Sequence, residues 1–341
     1  MSCAWTCSAP EAAAYAADLL GQPVVEVLPV RRGGNNALFR ITTAGRDCFA
    51  LKVYPRQSRD NRDRLGREYA FLQFLQSRGV TAVPRPRGAD RQRDCALYDW
   101  IDGQPVTHPG PEELEALVAF LEQLHPLARH PEAAALAEAS DCCLSPATAG
   151  AQLQRRLARL AEIAPREPAL ERFLEREFRP LALAVLEHLA AQPGFAALLA
   201  PERRTLSPSD FGFHNALRRP SGELVFLDFE YAGWDDPVKL VADVCWHPGM
   251  DLAPELVQRF RSRTLALYRA GDDDFPQRLA SLLPLFGLIW CLILLNEFLP
   301  ERWQRRTLGH ADGTERAAVL NRQLGRAQAR IERLRESWAV G

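Results

Sequence analysis

Residues 205–236 constrain this chain more than any other stretch. Asp210 is followed five positions later by Asn215, and a hairpin-like segment then leads to an apolar run that ends at Asp228. Carboxylate and carboxamide oxygens suit Mg²⁺, and a carboxylate can accept a proton from a hydroxyl group. The segment therefore predicts that Asp210 accepts a hydroxyl proton, while Asn215 and Asp228 hold the metal ion of a bound nucleoside triphosphate.

The same segment resembles the aminoglycoside phosphotransferase and choline kinase family, small-molecule kinases with a protein-kinase-like fold. The resemblance rests on the spacing of Asp210 and Asn215, on the Asp-Phe-Glu-Tyr-Ala-Gly run from Asp228, and on the Asp236-Pro237 pair that follows. It implies transfer of the γ-phosphoryl group of Mg·ATP to a hydroxyl group of a small molecule. GTP stays open as an alternative donor.

The first hundred residues predict an antiparallel sheet with a phosphate-binding turn. Apolar runs over 24–30, 38–41 and 48–54 are typical of strands, and the turn Gly33-Gly34-Asn35-Asn36 separates the first two. Gly and Asn tolerate positive φ, and successive backbone N–H groups in such a turn can bind a phosphate. Ordinary hairpin turns use the same residue types, so this signal is weak by itself.

Lys52 lies in the third apolar run, and a helix predicted over about 60–78 carries Glu68. A lysine in an apolar strand often extends along the surface to solvent, and a glutamate on an amphipathic helix often faces water. The order of the two residues favours a pair in which Glu68 orients the ammonium group of Lys52 towards nucleotide phosphates. In the resembled family, a strand lysine and a helix glutamate do this.

A further apolar run over 95–101 predicts a strand, and Asp102-Gly103 predicts a turn after it. The resemblance implies that this segment joins two lobes and that Tyr98, Trp100 and Ile101 line the pocket for the nucleotide base.

Helical periodicity dominates the chain after residue 111, with helices predicted near 251–270, 275–299 and 312–338. Together with the family resemblance, these features predict an α+β, protein-kinase-like bilobal fold. Residues 1–103 would form the N-terminal nucleotide-binding lobe, with a helix over residues 9–20, the antiparallel sheet and the Glu68 helix. Residues 104–341 would form the larger, mostly helical catalytic and substrate-binding lobe. By resemblance, Asp243 is expected to support the catalytic loop.

Composition excludes several other classes of function. A formal net charge of -1 gives no electrostatic reason to expect a nucleic acid or an anionic membrane as a partner. The eight cysteines are scattered and are expected to be reduced thiols of a cytoplasmic protein. The protein is expected to be a monomer or a homodimer. The most apolar run, residues 282–295, contains Pro284 and Gly287 and predicts a buried helix instead of a membrane span.

The acceptor is less constrained. Glu230, Trp234 and Asp235 would offer negative charge and an aromatic face to a cationic or sugar-like molecule. Acidic and aromatic residues at a protein surface that bind no ligand explain the same pattern equally well. A sugar or another small polyol is slightly favoured, and amino-sugar, aminoglycoside-like, choline-like and amino-alcohol acceptors stay open.

One departure from the family pattern matters. Pro208 stands two residues before Asp210, where the family commonly has a histidine that supports the loop. This departure is the main support for an alternative, a nucleotide-binding pseudokinase that acts as an interaction module. A third hypothesis, a metal-dependent phosphohydrolase, leaves Lys52 and Glu68 without a role.

Overall fold

The computed structural model describes residues 7–30, 36–54, 62–250, 252–307 and 313–339. The described chain forms two compact units, one containing residues up to Ser140 together with Leu206–Trp234, the other containing Asp141–Thr205 and Asp235 onward. We call them the first and the second unit. The lobe boundary at residues 103 and 104 stays a prediction. Gly33, Gly34 and Asn35 of the predicted turn lie outside the described residues.

The first unit begins with a helix and a five-stranded antiparallel sheet. The elements are α1 (Ala9–Leu20), β1 (Val24–Val30), β2 (Ala37–Thr43), β3 (Cys48–Val53), α2 (Arg64–Ser77), β4 (Pro86–Asp90) and β5 (Cys95–Asp99). The strands lie in the order β1-β2-β3-β5-β4. Phe49, Leu51 and Val53 alternate along β3 and pack with Ala12 and Ala16 of α1 in one apolar core, because successive side chains of a strand point to opposite faces.

The helix that carries Glu68 begins later than predicted. Asp63 caps α2, since its carboxylate accepts a hydrogen bond from the Gly66 N–H at 2.8 Å. Leu65, Leu72 and Leu75 are buried with Glu68 on the same helix. The helix therefore places a carboxylate inside the first unit together with its apolar residues.

The segment 206–234 closes the first unit. The remaining elements here are β6 (Gln104–Pro105), α3 (Pro111–Leu124), β8 (Ala216–Arg218) and β9 (Leu224–Phe226), and two short strands, β7 (Thr205–Ser207) and β10 (Gly233–Asp235), flank the segment. Strands β6, β8 and β9 form a small antiparallel sheet. Phe120 of α3 packs against Phe211 and Phe226, with ring centroids 5.3 and 4.9 Å apart. These contacts anchor the loop on which Asp210 lies.

The second unit is helical. Its helices are α4 (Pro146–Ala161), α5 (Pro168–Phe173), α6 (Arg179–Ala190), α7 (Pro237–Trp246), α8 (Pro254–Arg269), α9 (Phe275–Leu294), α10 (Pro300–Thr307) and α11 (Gly313–Ala339). A single π-helical turn, Leu174–Phe178, joins α5 to α6. The helices predicted near 251–270, 275–299 and 312–338 are confirmed as α8, α9 and α11.

Helix α9 is the most apolar helix of the described chain. With the short turn after it, the segment Phe275–Phe298 has a mean hydropathy of 2.2 and is long and apolar enough to cross a membrane by length and composition. In the structure 67% of its most apolar window is buried, which is also typical of a core helix. The helix continues through Pro284 and Gly287, and its burial agrees with the predicted buried helix.

Candidate active site

Lys52 is the centre of a buried charge cluster in the first unit. Strand β3 pairs its residue 52 with Leu38 on one side and Ala96 on the other. Its Nζ lies 2.6 Å from Glu68, 2.5 Å from Asp228 and 3.6 Å from Glu230. Burial disfavours the ammonium ion, but these three carboxylates outweigh that effect and hold the pKa of Lys52 well above its usual value. Lys52 is therefore charged.

Glu68 is fixed from several directions. Besides Lys52, its carboxylate accepts hydrogen bonds from the Tyr54 hydroxyl at 2.7 Å and from the Phe229 N–H at 3.2 Å. The Tyr54 hydroxyl lies 2.8 Å from that of Tyr98. Burial raises the pKa of Glu68, and the Lys52 ammonium acts in the opposite direction. The structure brings Lys52 and Glu68 together, and their roles towards a nucleotide stay predictions.

The loop that carries Asp210 has an unusual backbone. Ser209 and Asp210 have φ values of 51° and 47°, in the left-handed region that L-residues other than glycine rarely adopt. The Ser209 N–H donates to the Ser207 hydroxyl at 3.2 Å, and the Asn215 side chain donates to the Asp210 carbonyl at 2.9 Å. The imidazole of His214 also contacts Asp210. His214 had no predicted role, although it stands one residue before Asn215 in the sequence.

Asp228 follows β9 in the same left-handed conformation, with φ 66°. The Leu227 N–H donates to the Asn215 carbonyl at 2.7 Å, so the two predicted metal residues lie on connected backbone segments. Burial raises the pKa of Asp228, and the adjacent Lys52 counteracts this shift.

The donor atoms of Asn215 and Asp228 fit a hard divalent cation. Asn215 uses its amide N–H to bind the Asp210 carbonyl, so its carboxamide oxygen is the atom with ligand character. Asp228 binds Lys52 through one carboxylate oxygen and carries a second. Oxygen donors of this kind suit Mg²⁺ or Ca²⁺ better than softer metals.

These side chains line one cleft of about 620 Å³, within the range typical of small-molecule sites. All of its lining residues belong to the first unit. The predicted site residues that line it are Asn36, Lys52, Glu68, Tyr98, Trp100, Ile101, Asp210, Asn215 and Asp228. Residues of the sheet and of the segment 206–234 therefore face the same space.

The residues predicted to meet the acceptor have partners within the protein. Glu230 is fully buried and accepts hydrogen bonds from Asn36 at 2.6 Å and from Arg64 at 3.1 Å. The Trp234 indole N–H donates to the Ala133 carbonyl at 2.9 Å. Asp235 is also fully buried and accepts from the Cys143 N–H at 3.0 Å. A substrate role for these three residues stays a prediction.

Asp243 lies in the second unit. Its carboxylate binds the Lys239 ammonium at 2.7 Å and accepts from the Trp290 indole N–H at 2.7 Å. This network ties α7 to α9, and support of the catalytic loop by Asp243 stays a prediction.

Comparison with known proteins identifies the class to which this fold and site belong. A profile of the phosphotransferase enzyme family matches residues 26–274. The chain therefore belongs to the phosphotransferase enzyme family and is a small-molecule kinase. A search of curated proteins found no match.

Several solved structures share this fold. Choline kinase LicA from Streptococcus pneumoniae shares 15% identity with a TM-score of 0.56, covering 93% of this chain and 96% of its own. The structure of APH(2'')-IIa in complex with gentamicin shares 16% identity with this chain at a TM-score of 0.61. The match covers 96% of this chain and 99% of that one. Amicoumacin kinase hAmiN, in complex with AMP-PNP, Ca²⁺ and Ami, shares 15% identity with this chain at a TM-score of 0.53. The match covers 89% of this chain and 88% of that one. These likenesses confirm the predicted α+β, protein-kinase-like fold.

Proposed function

We propose that this kinase transfers the γ-phosphoryl group of Mg·ATP to a hydroxyl group of a small molecule. One observation carries the proposal: Lys52 of the sheet and Asp210, Asn215 and Asp228 of the segment 206–234 line a single cleft. Phosphoryl transfer needs positive charge at the phosphates and a group that orients the nucleophile. The four side chains supply both functions.

Lys52 would bind the phosphates of the donor. Its ammonium group is buried and held by Glu68 and Asp228, so little rotational freedom remains to be lost when a nucleotide binds. Asn215 and Asp228 would hold the divalent cation, which supplies positive charge to the phosphate oxygens. Tyr98, Trp100 and Ile101 would contact the base.

Asp210 would orient the acceptor and take its proton. Its carboxylate is about one third exposed, on a loop whose backbone is bonded to Ser207 and Asn215. A hydroxyl group placed against it would lose its proton as the oxygen attacks the γ-phosphorus. Catalysis would come mainly from positioning and charge neutralisation.

The acceptor is proposed to be a sugar, an amino-sugar, an aminoglycoside-like molecule or an amino-alcohol. The similar structures include a choline kinase and a gentamicin complex, and both molecules carry hydroxyl groups beside cationic nitrogen. We further propose a cytoplasmic protein, monomeric or homodimeric, that binds neither nucleic acid nor a membrane.

The test is a screen of Mg²⁺-dependent ATP consumption with choline, ethanolamine, hexoses, small polyols and gentamicin, followed by mass spectrometry of the products. We expect one class of acceptor to gain a phosphoryl group. Loss of a general base costs about 10²–10⁴-fold in rate. The rate of phosphoryl transfer by Asp210→Asn should therefore fall by that factor. A parallel series with GTP determines which donor is used.

Other outcomes of the screen point to the alternatives. Nucleotide binding without turnover on any acceptor would favour the pseudokinase. Release of inorganic phosphate at the same rate with and without acceptors would favour the phosphohydrolase. Wild-type turnover by Asp210→Asn would contradict the proposed role of Asp210.

A further inference from the structure

The backbone at Ser209 and Asp210 is costly to maintain. In the left-handed region the Cβ atom of a non-glycine residue crowds the following carbonyl oxygen, and here two such residues are consecutive. Such conformations persist where surrounding contacts determine them. Pro208 precedes the pair and, as a proline, has no backbone N–H to donate. Side-chain contacts to this turn are therefore important for the position of the Asp210 carboxylate.

His214 makes two such contacts. Its Nε2 lies 3.1 Å from the Asp210 carbonyl oxygen and 3.3 Å from the carboxylate oxygen Oδ1. Both neighbours are acceptors, so the tautomer that satisfies them carries the proton on Nε2. The Asn215 amide also donates to the Asp210 carbonyl, at 2.9 Å. Whereas that bond restrains the backbone, the His214 contact extends to the carboxylate itself.

We infer that His214 is a positioning residue, which holds the Asp210 carboxylate in the orientation that accepts the hydroxyl proton. This inference rests on the proposed function, because it takes Asp210 as the base. His214 acts through Asp210 and not as a base of its own, since its Nε2 proton is directed at the aspartate. The support for the catalytic carboxylate thus comes from the residue four positions after it, in a chain with proline two positions before it.

The experiment compares three variants in transfer from ATP to the fastest acceptor among choline, ethanolamine, hexoses and gentamicin. His214→Leu retains bulk but has no donor, His214→Gln retains an N–H donor, and His214→Ala leaves space for added imidazole. A misplaced catalytic group costs on the order of 10²-fold, so His214→Leu should lose about that much in kcat while its KM for ATP changes little. His214→Gln, and His214→Ala with imidazole, should recover most of the loss.

Two controls separate a positioning role from a structural one. His108 is exposed and does not line the cleft, so His108→Leu should keep the wild-type kcat. Binding of a fluorescent ATP analogue should be equal in all variants. Equal kcat values for His214→Leu and the wild type would overturn the inference, and so would an equal loss in all three His214 variants with no response to imidazole.

Asp210→Asn, measured in parallel, distinguishes failure of the inference from failure of the proposed function. If Asp210→Asn is inactive while His214→Leu is fully active, only the inference about His214 fails. If Asp210→Asn is fully active, Asp210 is not the base, and the proposed function loses its central residue. If His214→Leu does not fold, the imidazole response of His214→Ala decides the question.

Discussion

Glu230 illustrates at the scale of a single residue how a buried carboxylate is held by its neighbours. Its negative charge suggested a contact with the acceptor, which stays a prediction, and in the structure the side chain is fully buried. Its two carboxylate oxygens bind Asn36 and Arg64, and Lys52 lies 3.6 Å away. A buried carboxylate is tolerated where cations and hydrogen-bond donors compensate it. Glu230 therefore links Asn36, the last residue of the predicted phosphate-binding turn, to the segment of Asp228.

We predict that Glu230→Gln lowers the free energy of unfolding by about 3 kcal/mol. The substitution keeps the shape of the side chain but removes the negative charge that lies 3.1 Å from the buried Arg64 guanidinium. Urea unfolding measures the loss. Glu223→Gln is the control, because Glu223 is exposed, and it should change stability by at most about 0.5 kcal/mol. A stable Glu230→Gln protein that lost affinity only for the acceptor would instead support a substrate role.

At the scale of elements, side chains of α7 and α11 pack directly against the backbone of α9 in the second unit. Gly287 lies in this helix opposite Leu334 of α11 and Trp246 of α7. A Cβ atom at residue 287 would meet the Leu334 Cδ2 at 2.7 Å and the Trp246 Cε2 at 2.9 Å. The terminal methyl group of a leucine can move, whereas a buried indole ring has little room to do so. The absence of a side chain at this position is therefore part of the packing.

We predict that Gly287→Ala destabilises the protein although alanine is the better helix former. Overpacking costs typically about 1–3 kcal/mol, and the gain in helix propensity returns about 1 kcal/mol. Gly325 in α11 is the matched control, because among the described residues no atom apart from its chain neighbours and the backbone of its own helix lies within 4 Å of an added Cβ. Gly325→Ala should raise the midpoint of urea unfolding and Gly287→Ala should lower it. A rise in both variants would show that α9 has room for a methyl group.

At the scale of the whole molecule, buried carboxylates connect stability to pH. Asp236 caps α7 through the Val238 N–H at 2.8 Å and pairs with Arg278 of α9 at 2.5 Å. Burial raises the pKa of Asp236 to about 6, although Arg278 and the capping bond favour the charged form. The folded protein therefore binds a proton at this residue at a higher pH than the unfolded chain does, and the stability from that proton is lost as the pH rises through about 6.

We predict that Asp236 makes the protein about 1 kcal/mol more stable at pH 5 than at pH 8. Asp236→Asn should remove this increment, because the amide does not titrate in the range and can still cap the helix. Urea unfolding of both proteins at the two pH values measures the difference. Asp273→Asn is the control at an exposed position and should keep the wild-type pH dependence. An unchanged pH dependence in Asp236→Asn would contradict the raised pKa.

Much of the fold was predictable because local patterns record it. Strands β1, β2, β3 and β5 of the first sheet and the helices α8, α9 and α11 follow from periodicity and from Pro and Gly positions, whereas β4 was not predicted. The order of Lys52, Glu68, Asp210, Asn215 and Asp228 was sufficient to assign the fold class. Helix α2 begins after the predicted start, because Asp63 provides the cap.

The contacts of the site were less predictable. Arg64 gave no signal in the sequence, since its partner Glu230 is 166 residues away. His214 was visible beside Asn215, yet its contact with Asp210 depends on the left-handed turn between them. Residue type and spacing do not report such backbone conformations in non-glycine residues.

The amino-acid sequence by itself determined which chemical groups the chain carries, in which order, and on which local elements, because propensity and periodicity act over a few residues. Only the tertiary structure decided that Lys52 contacts Asp228, 176 residues later in the chain, and that Glu230 is fully buried beside Arg64 and Lys52. Burial and pairing of charges depend on which distant segments pack together, and that packing is a property of the folded chain as a whole.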